Sequence, residues 1–178
     1  RNAGWLTLAS GLASGSDVIL IPEIPFDIEK VCAFEKGRKN EHSGFSIVAC
    51  AEGAHQIHGE QVVSRHISSS PDPIRLGGIG RQIASEIEQR TGIETRTTTL
   101  GHIQRGGEPS ATDRVLATAF ATAAFELALD GKFNCMVGLR DGHMQAQNIL
   151  DAANKQRLVP TDHRFIRAAR AMRTCFGD

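Results

Sequence analysis

Short apolar runs alternate along this chain with longer stretches in which apolar residues return every three or four positions. Trp5 to Leu12 reads as a helix closed by Gly15. Val18-Ile19-Leu20-Ile21-Pro22-Glu23 is short, β-branched and ended by proline, the pattern of a buried strand. Asp27 to Lys39 sets Ile28, Val31, Cys32 and Phe34 against charged neighbours and predicts a second helix. Phe45 to Ala51 predicts a second buried strand, stopping at Glu52-Gly53. Gly78 to Thr91 repeats Ile79, Ile83 and Ile87 at four-residue steps, an amphipathic helix stopped by Gly92. Glu94 to Thr99 reads as a Thr-rich strand, Ala111 to Asp130 as a long and mostly apolar helix, and Cys135 to Gly138 as a final short strand. Ala152 to Asn154 and His163 to Met172 fall in terminal helices. This alternation predicts an α/β fold, a mostly parallel sheet with helices on both faces.

One segment breaks the rhythm. Residues 55–77, containing SRHISSSPDPIRLGG, are polar and carry two prolines and a glycine pair, so they are expected to form a long excursion from the fold. The 178 residues suit one ordinary domain. The 20 basic and 20 acidic residues cancel, so no global field recruits nucleic acid or an acidic membrane, and any anion site must be local. No apolar run approaches the roughly 20 residues of a membrane span, and no signal peptide heads the chain. Cys32, Cys50, Cys135 and Cys175 lack metal-site spacing. They read as thiols acting as small hydrophobes in a reducing, cytoplasmic setting. The opening Arg1-Asn2-Ala3-Gly4-Trp5 lacks an initiator methionine and suggests a fragment.

In open α/β sheets, ligands bind beyond the carboxyl ends of strands. Glu23 ends the first predicted strand, Glu52 the second, and the turn LGHIQRGG the third. That turn sets His102 and Arg105 on a frame of Gly101, Gly106 and Gly107. Glycines let backbone approach a ligand and expose amide donors. Arg105 supplies a donor fork matched to phosphate oxygens, and His102 adds a further donor. Together they suit a small phosphorylated molecule. Arg96, six residues before His102, is either a further anion contact or the partner of Glu94. Glu52 could accept hydrogen bonds from sugar hydroxyls or cap a helix. Gly77, Gly78 and Gly80 precede a helix but match neither a dinucleotide nor a P-loop pattern. Asp113 and Arg114 are expected to pair with each other or with backbone. The arginines at 164, 167, 170 and 173 form a solvated or interface stripe.

The runs TRTTTLGHIQRGGEPSATDRVLA, RNAGWLTLASGLASGSDVILIPE and SIVACAEGA resemble, in order and over nearly the whole chain, the carboxyl-terminal half of the 6-phosphofructokinases. The resemblance implies that residues 1–178 are the fructose 6-phosphate-binding portion of such an enzyme, acting in the cytoplasm. Its activity is phosphoryl transfer from ATP or pyrophosphate to the 1-hydroxyl of fructose 6-phosphate. It also implies roles residue by residue. Arg1 matches the arginine that stabilises the transferring phosphoryl group, and Glu52 the glutamate that hydrogen-bonds the sugar hydroxyls. His102 and Arg105 match the sugar-phosphate ligands. Arg96 matches an arginine reaching the 6-phosphate in a neighbouring subunit, which implies a homo-oligomer with shared sites.

The family's donor loop and the aspartate motif that supplies the catalytic base and organises Mg2+ belong to the amino-terminal half and are not in this sequence. The expected Mg2+ is therefore held mainly by residues outside it. Glu41 and Ser43 stand where allosteric bacterial ATP enzymes carry lysines, which argues against that effector site. Ala3-Gly4-Trp5 resembles the pyrophosphate-type or mixed-donor branches. The alternative is a non-catalytic sugar-phosphate-binding subunit or module.

Overall fold

The fold is that of a computed structural model of the chain, which describes residues 1–40, 44–70, 73–153 and 155–178. Two compact units are present. The larger comprises residues 1–99 and 157–178, the smaller residues 100–156.

The larger unit is built around β1 (Val18–Leu20), which pairs in parallel with β2 (Val48–Cys50) in the register Val18↔Val48, Ile19↔Ala49, Leu20↔Cys50. On its other edge, β1 is bridged in parallel by Cys175, whose carbonyl accepts the Ile19 N–H at 2.9 Å. Because strand side chains alternate between faces, β1 feeds two cores. Val18 and Leu20 join Phe26, Val31, Cys32, Ile79, Ile83 and Ile87. Ile19 and Ile21 join Leu8, Ile166, Ala169 and Phe176. The first core is covered by α2 (Ile28–Asn40) and α3 (Ile79–Thr91), the second by α1 (Trp5–Ser14) and the later helix α6 (Arg164–Ala171). Helices on both faces are thus what the structure shows. The isoleucine stripe of α3 is fully buried, and Gly15 and Gly92 close α1 and α3 in the left-handed conformation.

Three sequence expectations change. Residues 92–100 join no sheet. Their threonines satisfy strand propensity, but a strand exists through a ladder partner, and here the bonds are local: Thr95 Oγ1 to the Ile93 carbonyl, and Arg96 to Glu94. The polar segment 55–77 contains an antiparallel pair, β3 (Val63–His66) with β4 (Ile74–Leu76), joined irregularly between Val63 and Arg65. Every position of β3 is exposed, so no apolar alternation announces it. Finally, the parallel pairing is small, and the remaining ladders are antiparallel hairpins.

In the smaller unit, α4 (Ala111–Leu129) starts at a capping box: Asp113 N–H donates to Ser110 Oγ, and Ser110 N–H donates to the Asp113 carboxylate. Asp113 is thereby engaged with backbone rather than with Arg114, and the hydrogen bonds to the carboxylate hold its pKa below the usual range. β5 (Cys135–Arg140) and β6 (His143–Asn148) form a hairpin, followed by α5 (Ile149–Ala152). The hairpin turns on Asp141-Gly142, both with positive φ (51° and 81°), the dihedral signs of a type I′ turn. Every fully buried hydrophobic residue among those described lies in the larger unit, whereas Val115 and Phe125 of α4 are 71% and 64% exposed.

Among the described residues, Glu35 is the charged side chain buried inside the larger unit. It is 5% exposed and its Oε1 has no hydrogen-bond partner. Burial pushes its pKa up, a Ser46 hydrogen bond and Arg38 oppose that rise, and Asp17 adds to it. A carboxyl with a raised folded pKa binds more protons folded than unfolded. Its stability contribution is therefore intact below the unfolded pKa of about 4.3 and declines as pH climbs through the folded value. Glu35→Gln should accordingly raise stability by about 1 kcal/mol near neutral pH. The advantage should disappear toward about pH 4, as read from denaturant midpoints at both ends of the range. A gain independent of pH would place its cause elsewhere.

Candidate functional site

The carboxyl end of the β1–β2 pair gathers the first group of candidates. Ala51 N–H donates to the Leu20 carbonyl at 2.9 Å, extending the β2 ladder so that Glu52 leaves at its end. Arg1 lies against it, with Nε 3.9 Å from Glu52 Oε2. Arg1 Nη2 also donates to the Ile74 carbonyl at 2.7 Å. Neither side chain is buried (36% and 44% exposed), so both remain accessible to a ligand.

The approach is close because of Gly53. A Cβ there would stand 2.1 Å from the Arg1 carbonyl oxygen, so only glycine lets the two backbones meet. Gln61 Nε2 donates to the Gly53 carbonyl at 3.0 Å and fixes the turn from its other side. Beside this pair runs an open cleft of about 510 Å³, lined by Asn2, Glu23, His55, Gln61, Ile74 and Leu158 among others.

The second group belongs to the smaller unit. Gly101–Arg105 is a 3-10 turn that begins on Gly101 at φ 50° and is followed by Gly107 at φ 91°. In a 3-10 helix, side chains three positions apart eclipse one another. That spacing sends His102 and Arg105 from the turn on the same side. Both are exposed, and among the described residues neither side chain is engaged in a hydrogen bond or ion pair. A guanidinium and an imidazole left without protein partners on a glycine frame are set to bind an oxyanion.

Arg96 behaves differently. Its Nε and Nη2 donate to Glu94 Oε1 at 3.1 and 2.9 Å, and both side chains are well exposed. Such a pair stabilises little and yields readily to a phosphate. The sequence had offered both readings, and the Glu94 contact is the one present in the isolated chain.

Other candidates find ordinary roles. Cys32 is buried, and burial pushes the Cys50 thiol up to about 12, so neither is a nucleophile near neutral pH. Arg170 of the terminal stripe pairs with Asp178 at 3.0 Å and lies over Phe176. Glu41 and Ser43 lie outside the described residues. No three His, Cys, Asp or Glu side chains cluster as a metal site among the described residues. No described helix is long and apolar enough to cross a membrane. The sequence reading missed the close seat of Arg1 on Gly53, for which the Glu-Gly step at a strand end was the only signal.

The family description "Phosphofructokinase" matches residues 1–128. The chain is 44% identical over its full length to an ATP-dependent 6-phosphofructokinase of Spirochaeta thermophila and covers 49% of that protein. It is 46% identical over 159 residues, 89% of its length, to a pyrophosphate–fructose 6-phosphate 1-phosphotransferase of Streptomyces coelicolor, covering 46% of that protein. Among solved structures it resembles a pyrophosphate-dependent phosphofructokinase from Marinobacter aquaeolei. The TM-score is 0.71 at 26% identity, over 98% of this chain and 46% of the other. The chain thus spans about half the length of the curated relatives it matches.

Proposed function

The chain belongs to the phosphofructokinase family, and on that premise we propose that it supplies the sugar-phosphate side of phosphoryl transfer to fructose 6-phosphate. The observation that carries this reading is the 3-10 turn that sets His102 and Arg105 three positions apart, both exposed and, among the described residues, without a side-chain partner. In this reading they hold the 6-phosphate, while Glu52 accepts hydrogen bonds from the sugar hydroxyls.

The 1-oxygen of the sugar attacks the terminal phosphorus of the donor, and the bond from that phosphorus to the bridging oxygen of the donor breaks. The proton of the sugar hydroxyl passes to a base that is not among the candidates in this chain. Little covalent work falls to the protein in such a transfer, so positioning and charge stabilisation dominate. Arg1 is suited to the second task, because its planar fork can follow charge spreading over phosphoryl oxygens. Mg2+, when bound, would neutralise donor phosphate charge. Relatives are named for ATP and for pyrophosphate, so both donors belong in the assay.

The test is formation of fructose 1,6-bisphosphate by the natural full-length chain with each donor in turn. Turnover with either one supports the reading. Sugar-phosphate binding without turnover from either donor would favour a non-catalytic binding subunit. No binding at all would overturn both.

Arg96 is proposed to serve the site of a neighbouring copy, releasing Glu94 when a phosphate arrives. Mixed oligomers of Arg96→Ala and Glu52→Ala chains should then regain activity that neither variant has alone, because some sites inherit both intact residues. Mixtures that stay inactive would confine both residues to one subunit.

A further inference from the structure

We propose that Glu23 is the positioning residue for Arg1: its carboxylate clamps the strap of backbone that carries the guanidinium. The inference rests on the phosphoryl-transfer reading of Arg1.

Glu23 stands just past β1, and its carboxylate reaches two distant parts of the chain. Oε1 and Oε2 accept the Gly4 N–H at 3.0 and 3.2 Å. Oε1 also accepts the Val159 N–H at 2.9 Å, across a separation of 136 residues. Gly4 is the residue before α1, which has no side-chain cap of its own. The carboxylate therefore both satisfies an orphan amide and complements the positive end of the helix.

The contact is tight as well as polar. A Cβ on Gly4 would fall 2.5 Å from Ile21 Cβ and 2.7 Å from Glu23 Oε2. Next to it, Trp5 Nε1 donates to the Arg157 carbonyl at 2.6 Å, so the same terminal segment holds the strap twice. At the other end of the strap, the Arg1 carbonyl rests on Gly53. Arg1 is thus located by two seats three residues apart, one on the Glu23 carboxylate and one on the glycine that follows Glu52. With the first seat loosened, the backbone that carries Arg1 loses one of its anchors, and the guanidinium gains freedom at the point where an ångström of displacement can cost up to about a hundredfold in rate.

Glu23 touches no candidate sugar ligand, so its effect should appear in turnover rather than in sugar affinity. A glutamine can keep Oε1 on both Gly4 and Val159, but it removes the negative charge at the start of α1 and sets an amide NH2, itself a donor, against the Gly4 N–H in place of Oε2. In the natural full-length enzyme, Glu23→Gln should lower kcat about tenfold, with KM for fructose 6-phosphate within about twofold. Glu23→Asp, which keeps the charge and withdraws it by one methylene, should fall between wild type and Gln. It also serves as the variant of record if Glu23→Gln fails to fold.

Combining Glu23→Gln with Arg1→Ala should add little to the loss from Arg1→Ala alone, since a positioning residue acts through the group it positions. Multiplying losses, or an unchanged kcat beside a lowered melting temperature, would show a purely structural role and overturn the proposal. The premise fails separately: an Arg1→Ala enzyme with unaltered kcat sinks the phosphoryl-transfer reading of Arg1 itself. A large Arg1→Ala loss beside a silent Glu23→Gln sinks only the clamp.

Discussion

Arg1→Ala is expected to lower kcat by roughly a hundred- to a thousandfold, the scale on which one preorganised donor to a developing anion acts. The guanidinium is held by its backbone on Gly53 and by its Nη2 on the Ile74 carbonyl, yet its Nε faces Glu52 at a distance longer than a hydrogen bond. Removing it should leave KM for fructose 6-phosphate little changed, because the proposed phosphate ligands sit on another element. Arg1→Lys should recover only part of the loss, since an ammonium is a point charge and lacks the planar fork. Truncation also deletes the bond to Ile74, worth about 1 kcal/mol, so kcat should be measured well below the melting temperature of each variant. A kcat within a few-fold of wild type would remove Arg1 from the mechanism.

Arg105→Ala should raise the dissociation constant for fructose 6-phosphate about ten- to hundredfold, the loss of one charge-assisted contact of about 1.5–3 kcal/mol. Stability should hardly move, because the Arg105 side chain is exposed and has no partner among the described residues. The discriminating measurement is titration with fructose 6-phosphate and with fructose. The phosphate-bearing sugar should lose most of its advantage in the variant, while binding of fructose stays as it was. Equal weakening for both ligands would mean that the turn had been disturbed rather than an anion contact removed, and no weakening would dismiss the site.

The helices and the central strand were legible for a simple reason: their signals are local. Ile79, Ile83 and Ile87 repeat at a spacing that has one meaning when a face is buried, and all three are in the core. The run Val18 to Ile21 is apolar on both sides because β1 feeds cores on both sides. Where the pattern was ambiguous, reading failed. Residues 94–99 have strand composition but no partner. β3 has a partner but no apolar face. The β5–β6 hairpin did carry a signal, Asp141-Gly142, and it is recoverable from sequence on the turn chemistry alone.

The same division runs through the candidate site. The sequence by itself determined the family, through motifs kept in order, and it set His102 and Arg105 three positions apart, a spacing that the local 3-10 turn sends to one side. Only the tertiary structure decided that Arg1 rests on Gly53 beside Glu52, and that Glu23 joins Gly4 to Val159. Those contacts depend on how strands and straps are brought together over separations of up to 136 residues. A carboxylate at a strand end looks the same in sequence whether it meets water, a sugar or two backbone amides. Which of these it meets is fixed by the packing of the core beneath it.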